Sequence, residues 1–133
     1  MKSLATIFGI LILGASGLKA QDCNPIPPNG LQEIMAYSIF QENYSNGQYD
    51  FALNYGRWMI CKKPDDIPGH PSFDLSRQYP KFIRIYTEIG LSKSDPALKE
   101  AYLDSAIMLY SESFEIFTEE QQSRYELYQR RGR

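Results

Sequence analysis

Tyr44-Ser-Asn-Gly-Gln-Tyr-Asp-Phe-Ala-Leu-Asn-Tyr-Gly-Arg-Trp58 decides the fold. Before it, Leu31, Ile34, Met35, Tyr37, Ile39, Phe40 and Tyr44 include the i, i+3, i+4 steps of one helical face, with Gln32, Glu33, Gln41 and Glu42 elsewhere on the surface. Asn46-Gly47 ends that helix, because glycine accepts the left-handed backbone a helix C-terminus needs. Phe51, Ala52, Tyr55, Trp58 and Met59 then line one side of a second helix, from about Tyr49 to Ile60. So short a turn makes the two helices antiparallel neighbours. Gly56 lies inside the second helix at a cost of about 1 kcal/mol against alanine, which predicts a close approach by another helix.

Outward from this hairpin the chain stays helical. Asn24-Pro-Ile-Pro-Pro-Asn-Gly30 reads as an extended arm, since each proline biases its predecessor away from helix. Pro64, Pro68 and Pro71, with Gly69-His70, make residues 62–79 a connector with room for one helical turn at Ser72 to Gln78. Pro80 is expected at the first position of a third helix carrying Phe82, Ile83, Ile85, Tyr86 and Ile89, with Gly90 as its stop. Asp95 caps a fourth helix from Pro96 to about Phe117, along which Leu98, Ala101, Tyr102, Ser105, Ala106, Leu109 and Tyr110 give a persistent helical stripe. Thr118-Glu-Glu-Gln121 has the capping-box pattern and opens a fifth helix bearing Tyr125, Leu127 and Tyr128. Strand signals are missing throughout. The expected class is all-α.

Spacing adds a repeat. Tyr44, Tyr86 and Tyr128 recur every 42 residues, each followed closely by a glycine, Gly47, Gly90 and Gly132. Phe40 and Phe82 precede the first two tyrosines by four residues, while Arg124 holds the third such place. The unit resembles the tetratricopeptide repeat. There an aromatic late in the first helix is followed by a small turn residue, a compact alanine early in the second helix and a closing proline. Tyr44, Gly47, Ala52 and Pro64 match those places, and Tyr86, Gly90 and Ala101 match them more loosely in a second unit. The resemblance covers about residues 31–132. It implies a tetratricopeptide-like α-solenoid of about five helices over residues 31–133, with the third unit ending after one helix. That last helix then either caps the array or begins the continuation of a longer one.

Residues 1–20 form the expected export signal: Lys2, an apolar run from Leu4 to Leu13, and small residues up to Ala20. The run is shorter than the roughly 20 apolar residues a bilayer span needs. Ala20-Gln21-Asp22 does not resemble the box that precedes a lipidated cysteine, so no stable membrane insertion is expected. Residues 21–30 are the arm. Without Lys2 and Lys19 the remaining chain has 12 basic and 16 acidic residues, a balance that does not favour nucleic acid. Cys23 and Cys61 are the only cysteines. In an oxidising compartment they form either a disulfide or two separate thiols, and only their distance decides.

Catalytic constellations are scarce. His70 is the sole histidine and reads as a solvated turn residue; Asp65-Asp66 reads as a polar loop without calcium-loop spacing. Glu112, Glu115, Glu119 and Glu120 read as a solvated face near Arg124, Arg130 and Arg131. No cofactor or metal is expected. Tyrosine and tryptophan favour partner contacts, and Tyr37, Tyr55, Trp58, Tyr79, Tyr102 and Tyr110 exceed what five helices need for a core. Tyr37, Asn43 and Arg57 are the expected groove-facing residues. The expected function is a non-enzymatic module of the periplasm or cell envelope, or a secreted one, that binds a protein or peptide partner. The alternatives are a carrier of a small apolar ligand and an exported enzyme accessory working through Asp65 and Asp66.

Overall fold

The computed structural model describes residues 23–122. The expected export signal, Tyr128 and most of the expected fifth helix lie outside the described residues. Within them, a 3-10 turn at Pro28–Gly30 precedes four α-helices: α1 Glu33–Ser45, α2 Tyr49–Lys62, α3 Leu75–Ser92 and α4 Pro96–Ile116. A single bridge between Ile67 and His70 is the only β-type pairing among the described residues. The expected all-α class holds, as two antiparallel hairpins, α1–α2 and α3–α4, with α3 also packed on α2.

The first hairpin turn follows from its two central residues. Gly47 adopts φ +73°, its N–H donates to the Tyr44 carbonyl at 3.1 Å, and the Gln48 N–H donates to Asn43 at 2.9 Å. Those two bonds form a Schellman ending, which satisfies carbonyls the helix would otherwise leave open. Asp95 caps α4 by accepting from the Leu98 N–H at 3.2 Å. Thr118 and Gln121 form the reciprocal capping box, and helical backbone resumes at residues 119–122.

The hairpins meet through equivalent positions. Phe40 and Phe82 are both fully buried, and their rings stack at 4.9 Å with 28° between planes. Tyr44 packs against Tyr49 across the first turn at 5.9 Å, and Tyr86 packs against Tyr102 across the second at 6.1 Å. Gly56 makes the junction possible. A Cβ there would clash with the edge of the Phe40 ring at Cδ1 and lie 3.0 Å from Phe82 Cε1. Trp58, Met59, Tyr79, Ile85 and Leu109 complete the core around this junction.

Four expectations need correction. Helix α3 starts at Leu75, which puts Pro80 in its second turn instead of at its first position. Asp74 supplies the earlier cap, accepting from the Ser76 N–H at 3.0 Å and the Ser76 hydroxyl at 2.6 Å. Burial of Ser76, Gln78 and Tyr79 then outweighs the one backbone bond a proline removes. Gly90 does not stop α3, which runs on to Ser92. It is buried, and a Cβ there would lie 3.1 Å from Tyr102 Cβ and 3.2 Å from Leu103 Cγ, so its lack of a side chain admits α4.

Helix α4 buries Ala106, Leu109 and Ser113, while Leu98, Ala101 and Tyr110 face outward. The contact of Tyr102 and Leu103 with the Gly90 notch sets that rotation. Ala101 is exposed whereas Ala52 is fully buried, so the two hairpins differ at these positions. Pro64 is buried just past the end of α2, where Lys63 adopts φ +53°.

Candidate functional site

Two surfaces gather side chains that could meet another molecule. The first is a cleft of about 590 Å³ between α2 and α4. Ile60 and Met108 line it with the Tyr86 and Tyr102 rings, and Arg57 and Asp104 supply its charges. Its volume falls in the range of small-molecule and peptide side-chain sites. Cys23 and Cys61 form part of the wall and are bonded to each other, with Cα atoms 5.4 Å apart. The bond ties the Pro-rich arm to the last turn of α2. A shallower hollow of about 620 Å³ lies where the connector meets the end of α4 and includes Lys63, Asp65, Asp74, Arg77 and Phe117.

The second surface is where α1 meets α3. Arg77, Lys81 and Arg84 follow i, i+4, i+7 on α3, a row about 10 Å long at 1.5 Å per residue. Lys81 Nζ donates to Gln41 Oε1 at 2.6 Å and lies 5.7 Å from the Tyr44 ring centre, within cation–π range. Burial first, and the Arg77 charge second, push its pKa down to about 8. Arg84 is exposed beside Tyr49 and Tyr44, which favour its charged form, with a hydrogen bond to Tyr44. Among the described residues neither Lys81 nor Arg84 is ion-paired to a carboxylate.

Underneath runs a buried polar network. Gln78 is 2 % exposed; its amide donates to the Asp74 carbonyl at 3.1 Å and to the Tyr37 hydroxyl at 3.4 Å. Gln41 also donates to the Tyr37 hydroxyl and reaches Gln78 Oε1 at 3.3 Å. These bonds fix the Gln41 carbonyl toward Lys81. On the far side of α3, buried Tyr79 donates to Glu112 at 2.8 Å, and Lys63 pairs with the same carboxylate at 3.0 Å. Burial, then that bond and charge, raise the Tyr79 pKa.

The three expected groove residues do not converge. Tyr37 is buried: the connector folds back over α1, so that Phe73 meets its ring edge-on at 5.4 Å and His70 lies 5.0 Å away. His70 is thus a half-buried ring on Tyr37, not a solvated turn residue. Asn43 spends its amide on the Ile39 carbonyl of its own helix at 2.8 Å. Arg57 is exposed and lines the cleft. Trp58 and Tyr79 belong to the core, whereas Tyr55 and Tyr102 are half-buried and Tyr110 is 41 % exposed. Asp65 and Asp66 are both exposed, and no group of three metal-ligating side chains occurs among the described residues.

Sequence reasoning missed the α3 row. Its signal was present, since no acidic residue occurs between Asp74 and Glu88, but starting the helix at Pro80 separated Arg77 from Lys81 and Arg84. No family model, no curated protein and no solved structure matches the chain. No helix among the described residues is long and apolar enough to cross a membrane.

Proposed function

We propose that the chain is an exported, non-enzymatic module that binds a protein or peptide partner through the outer faces of tetratricopeptide-like hairpins. The observation that carries this reading is the surface of α4. Leu98, Ile107, Met108, Tyr110, Phe114 and Ile116 are each at least 40 % exposed there, and Met108 also lines the α2–α4 cleft. Exposed apolar side chains concentrated on one helix mark an interaction surface more often than scattered ones do. The recurrence of Phe40 and Phe82 at the hairpin junction supports a repeat architecture, in which each unit leaves a helix face open to a neighbour or a ligand. The export signal expected from residues 1–20 supports a setting in the periplasm or cell envelope, with secretion as the second choice.

Site-directed photo-crosslinking in the expressing cell tests the reading. A photoreactive residue at Arg57 or Arg84 should give discrete adducts that the same residue at exposed Glu100 does not. Absence of adducts at both positions, or a turnover activity lost in Asp65→Asn/Asp66→Asn, would overturn it. The apolar cleft also suits a carrier of a small apolar ligand, and native mass spectrometry would then find one mass bound to the purified protein.

A further inference from the structure

We propose that the α1–α3 face, centred on Lys81 and Arg84, recognises an acidic segment of a partner protein through its carboxylates. The inference rests on the reading of the chain as a partner-binding module and names the chemistry of the partner. Its first support is charge. The chain as a whole is acidic, with 16 carboxylates against 14 basic residues, yet α3 has none from Leu75 to Thr87 and three cations in that span. The flanking carboxylates are partly engaged: Asp74 caps the helix and approaches Arg77 at 3.8 Å, and Glu88 lies one turn beyond Arg84.

The second support is preorganisation. Lys81 is held in place by Gln41, itself fixed by Tyr37 and Gln78, although the ammonium gains no anionic partner from this arrangement. Arg84 is exposed on the same row, with Tyr49 and Tyr44 beside it and Glu88 as the weakest of the groups that favour its charge. Cations already ordered by neutral groups lose little freedom on taking up a carboxylate, and a guanidinium can bind one through two parallel bonds. Tyr44 also links the two cations, its ring near Lys81 and its hydroxyl near Arg84. Two carboxylates one or two residues apart on an extended chain match the span from Lys81 to Arg84, about 4.5 Å along the helix axis.

The test is fluorescence anisotropy with a labelled Glu-Ala repeat peptide and its Gln-Ala counterpart. The Glu peptide should bind at least about tenfold more tightly, with affinity falling as salt rises toward about 150 mM. Arg77→Gln/Arg84→Gln, at two exposed positions, should weaken it about tenfold or more without moving the unfolding midpoint. Lys81→Gln should weaken it similarly, and Lys81→Arg should retain it. Lys99→Gln, on α4, should leave it unchanged. Equal binding of the two peptides, no effect of the double variant, an equal loss in Lys99→Gln, or binding to anionic phosphatidylglycerol vesicles but not to the peptide would each overturn the proposal. If the peptide fails while photo-crosslinks form at Arg57, the acidic partner is wrong and the binding module stands.

Discussion

Replacing Gly56 by alanine should destabilise the protein, although alanine is the better helix former. On propensity alone the change should stabilise α2 by about 1 kcal/mol. The hairpin junction reverses the sign. The new methyl would enter the space of the Phe40 ring, and that ring cannot swing aside because it stacks on Phe82 at 4.9 Å and on Tyr44 at 6.3 Å. Overpacking a filled core costs about 1–3 kcal/mol, and an overlap with a fully buried ring belongs at the upper end. The expected net loss is about 1–2 kcal/mol, or roughly 5–10 °C in Tm for a domain near 100 residues. Urea unfolding measures it, followed by far-ultraviolet circular dichroism and by fluorescence of Trp58, which is 2 % exposed. Phe40→Leu makes room for the methyl, so the double variant should lose at least about 1 kcal/mol less than the two single losses together. A Gly56→Ala protein as stable as the parent, or strictly additive losses, would refute the close contact of α1, α2 and α3.

Other outcomes follow from separate parts of the structure. Because burial lowers the Lys81 pKa to about 8 from an ordinary 10.5, the unfolded chain holds the extra proton between those values. Stability should therefore rise from about pH 8 to pH 10, by at most about 1 kcal/mol per pH unit after solvent screening, and the rise should vanish in Lys81→Met. The raised Tyr79 pKa acts the other way, removing stability only above about pH 10, so the two effects separate in a pH series of urea midpoints. Cys23 and Cys61 close a loop of 38 residues, and Cys23→Ser/Cys61→Ser should cost about 3–4 kcal/mol while leaving the helical dichroism intact. Tyr79→Phe, which strips Glu112 of a buried donor, should cost about 1–2 kcal/mol by the same unfolding assay.

What the sequence made legible was local. The Asn46-Gly47 ending, the Asp95 cap, the Thr118–Gln121 box and the tight fit at Gly56 depend on a few neighbouring residues or on one missing side chain, and each is where the pattern put it. What stayed hidden came from contacts distant in sequence. Nothing in Pro64 to Phe73 signals that this stretch folds back to bury Tyr37, which removes the first expected groove residue. Pro80 has the local pattern of a helix start, whereas the burial of Ser76, Gln78 and Tyr79 ahead of it is a tertiary effect that no local pattern carries. Gly90 looked like a stop because a glycine near a helix end has two uses, and only the approach of Tyr102 distinguishes them. The binding face suffered most from that one boundary. Once α3 begins at Leu75, Arg77 joins Lys81 and Arg84 on a single row.

The most direct measurement is a residue-by-residue map of backbone amide shifts in the isotope-labelled protein titrated with the acidic peptide. The account predicts saturable shifts at Gln41, Tyr44, Lys81 and Arg84 and their neighbours, with Arg57, Ala101 and Met108 across the cleft unmoved. Shifts confined to the cleft, spread evenly over all basic residues, or absent throughout would contradict it.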